Sequence, residues 1–449
     1  MYSMKDTHLR WIGNIPEDWR LEKVKHFFYL SKEKAHEDNP TVLTLARSGV
    51  RIRDISNNEG QMAESYYDYN PVRPGDLLLN PMDLYSGDNC NVSHLYGVIS
   101  PAYANLRSYG YANPEYYNYY FKIQYLIMAL FAHGKGVSQD NRWTLNNDAL
   151  LNYYIPVPPR EEQDQIVCYL DWQTSRINKL IQGYQREIHL IQEHTESAIA
   201  SALIYGLNEG VETKTTGIQN IPAIPSHWNI LQNKRVFAER SELSETGTEP
   251  LLSVSKHYGV KPYADLTENE QYATIKPADS LVGYKKVKKH DLAMNIMRAR
   301  NGSFGVSEYE GIVSPAYAVF QPIVDCNPWY IHYLLRTPQV IGIFESYSYG
   351  IAEHRRRLYA VDFLRLYLPF PPLEEQNEIA QYVEQIQAKA QNSIQTIQKE
   401  IDLLREYRTR LISDIVTGQI DVRGIEIPEY ELEVDNSDLK SVEDVEVEE

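Results

Sequence analysis

One stretch that occurs twice constrains this chain more than anything else in it. Ile155-Pro-Val-Pro-Pro-Arg-Glu-Glu-Gln-Asp-Gln-Ile166 and Leu368-Pro-Phe-Pro-Pro-Leu-Glu-Glu-Gln-Asn-Glu-Ile379 share one grammar. Each ends an apolar, aromatic segment and opens a long proline-free one. Pro158, Pro159, Pro371 and Pro372 forbid a continuing strand ladder, whereas a fixed φ suits the first turn of a helix, where the missing N–H costs nothing. The acids Glu161, Glu162, Glu374 and Glu375 then face the positive helix end.

Other elements recur with the same offset. Ile15-Pro-Glu-Asp-Trp19 returns as Ile224-Pro-Ser-His-Trp228, Gly97-Val-Ile-Ser-Pro-Ala-Tyr-Ala104 as Gly311-Ile-Val-Ser-Pro-Ala-Tyr-Ala318, and Asn113-Pro as Asn327-Pro. A period of about 213 residues is too long for a solenoid. The expected organisation is globule, long helix, globule, long helix, with residues 1–159, 160–206, 207–372 and 373–424 as the four parts.

Within each globule, short β-type runs alternate with Gly, Pro and Asn turns: Asp76–Asn80 and Gly97–Leu106, then Asp291–Asn295 and Gly311–Phe320. Asn113-Pro114 reads as an N-cap with proline at the first helical position, opening a Tyr-rich helix through about Ala132, and Asn327 repeats the cap. The tyrosines Tyr116, Tyr117, Tyr119 and Tyr120 suit a helix packed on a sheet. The expected fold class is α+β with antiparallel sheet.

Both long segments carry a heptad seam. Apolar or small residues fall at Ile177, Ile181, Tyr184, Ile188, Ile191, Thr195, Ala198 and Ala202, then at Val383, Ile386, Ala390, Ile394, Ile397, Ile401, Leu404, Leu411 and Ile415. A helix of about 45 residues spans about 65–70 Å at 1.5 Å per residue. Paired antiparallel as a coiled coil, the two would relate the globules by a pseudo-two-fold axis.

Charge has to be divided by segment before it excludes anything. The net charge is −17, yet residues 1–159 carry 15 basic and 17 acidic groups and residues 206–372 carry 18 and 17. Residues 425–449 hold one basic group against 11 acidic ones, a tail expected to be disordered. Cys90, Cys168 and Cys326 lie far apart without metal-ligand spacing, which disfavours a disulfide framework and a zinc site. With no apolar run near the roughly 20 residues of a bilayer span and no signal-peptide pattern at the start, a cytoplasmic location is expected.

Catalytic motifs are weak. Asn113-Pro-Glu-Tyr116 and Asn327-Pro-Trp-Tyr330 have part of the Asn/Asp-Pro-Pro-Tyr/Phe loop of amino-methylating DNA methyltransferases, but both lack the second proline and read as helix caps. No phosphate-binding Gly-x4-Gly-Lys-Ser/Thr loop occurs, His189 and His194 are wrongly spaced for a shared helix face, and Cys90 has no placeable base. Basic loops give the stronger lead. Seven cations lie between Lys276 and Arg300, Lys285, Lys286, Arg298 and Arg300 among them, against two acids. Arg355-Arg356-Arg357 follows Gly350, and Lys135, Gln139, Asn141 and Arg142 occupy the matching place in the first copy, with Arg47, Arg51 and Arg53 earlier. Arg forks onto guanine or phosphate and Asn or Gln onto adenine. Two loops alike in place and unlike in sequence suit one scaffold reading two half-sites. An ordinary solvated surface remains the alternative for such loops.

The ordered duplication resembles the DNA-specificity subunit of type I restriction–modification systems, from about Ile12 to about Gly424. That resemblance implies two target-recognition domains, each gripping half of an asymmetric bipartite double-stranded DNA sequence, joined by two conserved helices. It also implies a non-catalytic chain without a cofactor or metal. The helices would dock two methyltransferase subunits, which hold S-adenosylmethionine and methylate adenine N6. Two restriction subunits using ATP and Mg would supply translocation and cleavage. Asp291-Leu-Ala-Met-Asn-Ile-Met-Arg-Ala-Arg-Asn-Gly302 is similar to the family's Asn-Lys-Met-x-Ala-Trp-x-Gly segment, with Arg300 at the aromatic position; this adds Asn301, and Asn80 in the first copy, to the expected DNA contacts. Two readers on one face of the duplex need half-site centres about one turn, roughly 34 Å, or a multiple apart. A protein-interaction scaffold built on the seamed helices is the competing reading, and salt-dependent DNA affinity separates the two.

Overall fold

The computed structural model describes residues 2–46, 49–55, 63, 65–84, 90–136, 143–208, 210–266, 278–350 and 356–432. The chain divides into two compact units, Met1–Arg186 with Ile397–Glu449, and Glu187–Thr396. Each unit therefore holds one globule, the start of one long helix and the end of the other. No described helix is long and apolar enough to cross a membrane.

In the first unit a four-stranded antiparallel sheet runs Phe28–Leu30, Ala104–Ser108, Leu77–Leu79, Cys90–Val92. In the second the order is Phe237–Glu239, Tyr317–Pro322, Leu292–Asn295, Phe304–Val306. The strand before each long helix pairs with an early one: Tyr154–Val157 with Arg20–Lys23, and Tyr367–Phe370 with Asn229–Gln232. The fold is α+β, small antiparallel sheets packed on helices.

Two expectations need correction. Gly97–Leu106 is not one strand: Gly97–Ile99 pairs with Asn70–Val72 and Ala104–Ser108 joins the larger sheet. Between them the Tyr103 N–H donates to the Ser100 carbonyl at 3.0 Å, closing a turn around Pro101. Proline's fixed φ and missing N–H suit the second turn position and break a ladder. Tyr317 and Ser314 repeat that bond at 2.9 Å.

The Tyr-rich helix spans Pro114–Leu126, short of Ala132. Met128 adopts φ 58°, its N–H donating to the Tyr125 carbonyl and that of Ala129 to the Gln124 carbonyl, both at 2.9 Å. This is a Schellman stop with methionine where glycine is usual, so no breaker marks it in the sequence. At the other end the Asn113 carboxamide oxygen accepts from the Glu115 N–H at 2.9 Å, and Asn327 caps Trp329 and Tyr330 at 2.8 and 3.1 Å. Tyr116, Tyr117 and Tyr120 are buried.

The long helices span Arg160–Tyr205 and Leu373–Val416. Within the first unit Gln165 donates to the Val422 and Ile425 carbonyls and Arg408 to Asn178, so the two helical segments run antiparallel. In the second unit Gln192 and Ile199 line one groove with Ile394 and Gln387. Ile177, Ile181, Val383, Ile397 and Ile401 are buried, while Tyr184, Ile188, Ile191, Ile386 and Leu404 are half-buried. No seam position is exposed.

The recurring motifs meet at one joint in each unit. Gln163 accepts from the Asn113 N–H at 2.7 Å and donates to the Pro158 carbonyl at 2.9 Å. Gln376 does the same with Asn327 and Pro371 at 2.9 and 2.8 Å. The preceding acid differs between the two: Glu375 accepts from the Trp228 indole at 2.8 Å, whereas Glu162 accepts from the hydroxyl of Tyr2, whose ring packs edge-on against Trp19. Gly206 and Gly418, at φ 80° and 74°, end the long helices so close to Trp228 and Trp19 that an added Cβ would lie 3.2 Å from either ring.

Candidate nucleic-acid interface

The predicted basic residues divide into displayed, inward-held and undescribed groups. Gln139, Asn141, Arg142 and Arg355 lie outside the described residues, as do Lys276 and the tail beyond residue 432. The stems that carry those loops are described. Lys135 pairs with Thr144, and Tyr349 with Arg357, each through one antiparallel bridge. The two loops thus leave the fold through the same kind of gate, with Lys135 and Arg357 exposed at the threshold.

Arg356 points back into the unit. Its guanidinium donates to the Ser348 carbonyl at 3.1 Å and the Glu345 carbonyl at 3.0 Å, closing the end of helix Pro338–Ser346. A cation there adds to the Ser348 N–H bond on the Glu345 carbonyl and faces the negative end of the helix. Asn80 is likewise occupied, its carboxamide accepting from the Met82 N–H at 3.0 Å in a local turn. Lys285 and Lys286 lie 3.8 and 3.7 Å from Glu239 and Glu249. Such half-exposed pairs are weak, about 0–1 kcal/mol, and yield readily to phosphate.

The Asp291–Gly302 segment folds as the strand Leu292–Asn295 followed by a tight turn, Ala299–Asn301, that Gly302 closes at φ 84°. Arg298 and Asn301 are exposed and Arg300 is half-buried. Among the described residues no hydrogen bond or ion pair engages the guanidinium of Arg298, Arg300 or Arg357. The turn therefore displays donors where the interior strand Leu292–Asn295 passes to the edge strand Phe304–Val306.

The start of that interior strand is held by a buried ion pair that sequence reasoning missed. Arg240 donates to both oxygens of Asp291, at 2.6 and 3.0 Å, and the carboxylate also accepts from the Lys288 N–H at 2.8 Å. The bond to Asp291 raises the Arg240 pKa above its usual value. In the first unit the matching Asp76 takes Arg107 at 2.8 and 2.9 Å and the Arg73 N–H at 3.0 Å. The acid sits at the same place in both repeats, whereas its arginine comes from different strands, so aligning the two copies does not reveal it.

Also missed was Arg336, whose guanidinium donates to the carbonyls of Ser255, Lys256, Gly302 and Phe304. Burial pushes its pKa down. Only the absence of a nearby acid in the sequence hinted that this cation would serve carbonyls.

Known proteins with this pattern are consistent with one another. The type I restriction modification DNA specificity domain matches residues 226–403. The putative type I restriction enzyme MjaX specificity subunit of Methanocaldococcus jannaschii is 21% identical, covering 92% of this chain and 96% of its own length. The EcoBI specificity subunit of Escherichia coli is 21% identical over 83% of this chain and 79% of its own. Among solved structures, a chain of a type I R-M system studied for complex assembly and conformational transition superposes with a TM-score of 0.64 at 14% identity, over 90% of this chain and 99% of that one. The HsdS subunit of Thermoanaerobacter tengcongensis gives 0.50 at 15% identity, over 90% and 98%.

Proposed function

Because the chain belongs to the type I restriction–modification specificity-subunit family, whose role is DNA recognition and not catalysis, we propose that it reads a bipartite, asymmetric double-stranded DNA target, one half with each globule. One observation carries this reading: the loop stems Lys135–Thr144 and Tyr349–Arg357 leave like folds through like bridges and bear unlike sequences. A repeated scaffold with divergent tips is what two half-sites of different sequence require.

On this reading the chain is an internal duplication with target-recognition domains at 1–159 and 207–372, and the two long helices form a coiled coil that sets the spacer. The half-buried residues Tyr184, Ile188, Ile191, Ile386 and Leu404 leave apolar surface for further helices, which suits docking of two methyltransferase subunits. S-adenosylmethionine would reside in those subunits, and ATP and Mg in the restriction subunits that join for cleavage. The acidic tail, residues 425–449, stands apart from the reading surfaces in charge.

The test is co-expression with the cognate methyltransferase, followed by mapping of N6-methyladenine. Methylation at one bipartite motif that vanishes when this gene is deleted is the expected result. Methylation unaffected by the deletion would overturn the reading, and a DNA affinity indifferent to salt would favour the scaffold alternative.

A further inference from the structure

The second unit contains a built feature with no role so far, the hairpin Leu252–Ser255 and Gly259–Pro262. We propose that this hairpin is a DNA-contacting arm, and that Arg336 positions its tip, Lys256–Tyr258, beside the Arg298–Asn301 turn as one reading surface. The proposal rests on the DNA-reading function above.

The stem is rigid for a stated reason. Leu252, Val254 and Val260 form a small separate core with Val287, Val313 and Val319, and Tyr317 of the recurring Ser-Pro-Ala-Tyr motif packs against it. The tip is tied to the turn by Arg336, which bonds the Phe304 carbonyl at 2.9 Å, those of Ser255 and Gly302 at 3.4 Å, and that of Lys256. Two of these carbonyls belong to the last stem residue and the first tip residue, Ser255 and Lys256, and two to the segment leaving the turn. A guanidinium drawn partly out of water is costly unless its donors are met, so this one half-buried side chain makes the two segments depend on each other.

Close packing fixes their separation. A Cβ at Gly302 would lie 3.2 Å from Ile341 Cδ1 and 3.9 Å from Lys256 Cβ, and one at Gly259 would lie 2.8 Å from the His332 ring. Lys256, His257 and Arg298 are exposed on the result. The Lys261 ammonium lies 5.0 Å over the Tyr258 ring, placing a second cation beside the tip.

The first unit repeats the stem and changes the tip. There Leu43–Ala46 pairs with Gly49–Ile52, and Arg51 faces Thr44 across the ladder as Lys261 faces Ser253. Both return strands thus carry a cation at the same register. Two residues separate Ala46 from Gly49, and three separate Ser255 from Gly259. A two-stranded ribbon fits the major groove; a fixed cation on the stem suits phosphate, and a variable tip suits bases.

The experiment uses the chain assembled with its methyltransferase, on duplexes carrying the motif that is methylated in vivo, with affinity read by fluorescence anisotropy from low to high salt. For Lys256→Ala with Lys261→Ala, the log–log salt slope should fall by about 0.9 for each phosphate contact removed. Arg336→Gln should lower discrimination against mismatches in one half-site about tenfold, with the other half-site read as before. An unaltered slope in the double variant removes the hairpin from the interface. Equal loss at both half-sites reduces Arg336 to a general stabilising role. If the unmodified complex itself shows no discrimination, the DNA-reading function fails, and that outcome is distinct from the other two.

Discussion

The Tyr116 hydroxyl donates to the Val416 carbonyl at 2.8 Å, joining positions 300 residues apart within the first unit. Tyr330, its counterpart, donates to the Leu203 carbonyl at 3.1 Å in the second. Each aromatic helix is thereby tied to the end of a long helix, where carbonyls have no intrahelical partner. Burial pushes both phenol pKa values well up, so both stay donors.

Tyr116→Phe and Tyr330→Phe keep the ring and strand a buried carbonyl. Each should cost about 1–3 kcal/mol in urea-induced unfolding followed by circular dichroism. An effect near zero would show that water reaches the carbonyl instead.

Gly418→Ala should be the more damaging of two equivalent substitutions. Both glycines require positive φ, an expense of about 1–2 kcal/mol for alanine. At Gly418 the new methyl would also lie 2.4 Å from Pro16 Cδ, whereas at Gly206 its nearest contact is 3.2 Å from Trp228. Overpacking adds about 1–3 kcal/mol. Comparing the two denaturation midpoints checks the order.

His332 should make the second unit acid-sensitive. Burial, then the charge of Arg336, push its ring from the usual 6.5 down to about 3, and Nδ1 accepts from the Val306 N–H at 3.2 Å, a bond that needs the neutral form. The unfolded chain binds this proton below pH 6.5 and the folded unit only near 3. The stabilisation is therefore complete above pH 6.5 and lost as pH falls toward 3, with a slope approaching one proton. His332→Phe should flatten that slope between those limits, as read from urea midpoints against pH.

Substitutions in the helix seam should separate assembly from recognition. Ile401, 1% exposed, costs about 2–5 kcal/mol as alanine. The half-buried Ile188 costs less. Neither should alter the methylated motif, only the yield of complex; a changed motif would mean that the helices take part in base choice.

Much of this was legible because the chain states it twice. Repetition separated Pro-Pro-x-Glu-Glu-Gln, Ile-Pro-x-x-Trp and Asn-Pro from chance, and a helical period exposed the seam from Ile177 to Ile415. The stop at Met128 was not legible, since a Schellman turn built on methionine leaves no compositional mark. Nor was Arg356, which reads as one of three adjacent cations and is held inward by two carbonyls.

The sequence by itself determined the helix starts, the caps, the apolar seam and the paired order of elements. These follow from local φ preferences, periodicity and repetition, which act within a few residues or between copies. Only the tertiary structure decided that the repeated motifs form one joint in each unit, that Asp76 and Asp291 take their arginines from different strands, and that Arg336 binds a hairpin to a turn. Those partners lie 31, 51 and up to 81 residues apart. They meet because a buried charge or carbonyl must be matched where the chain happens to fold past it, a demand that no local pattern in the sequence records.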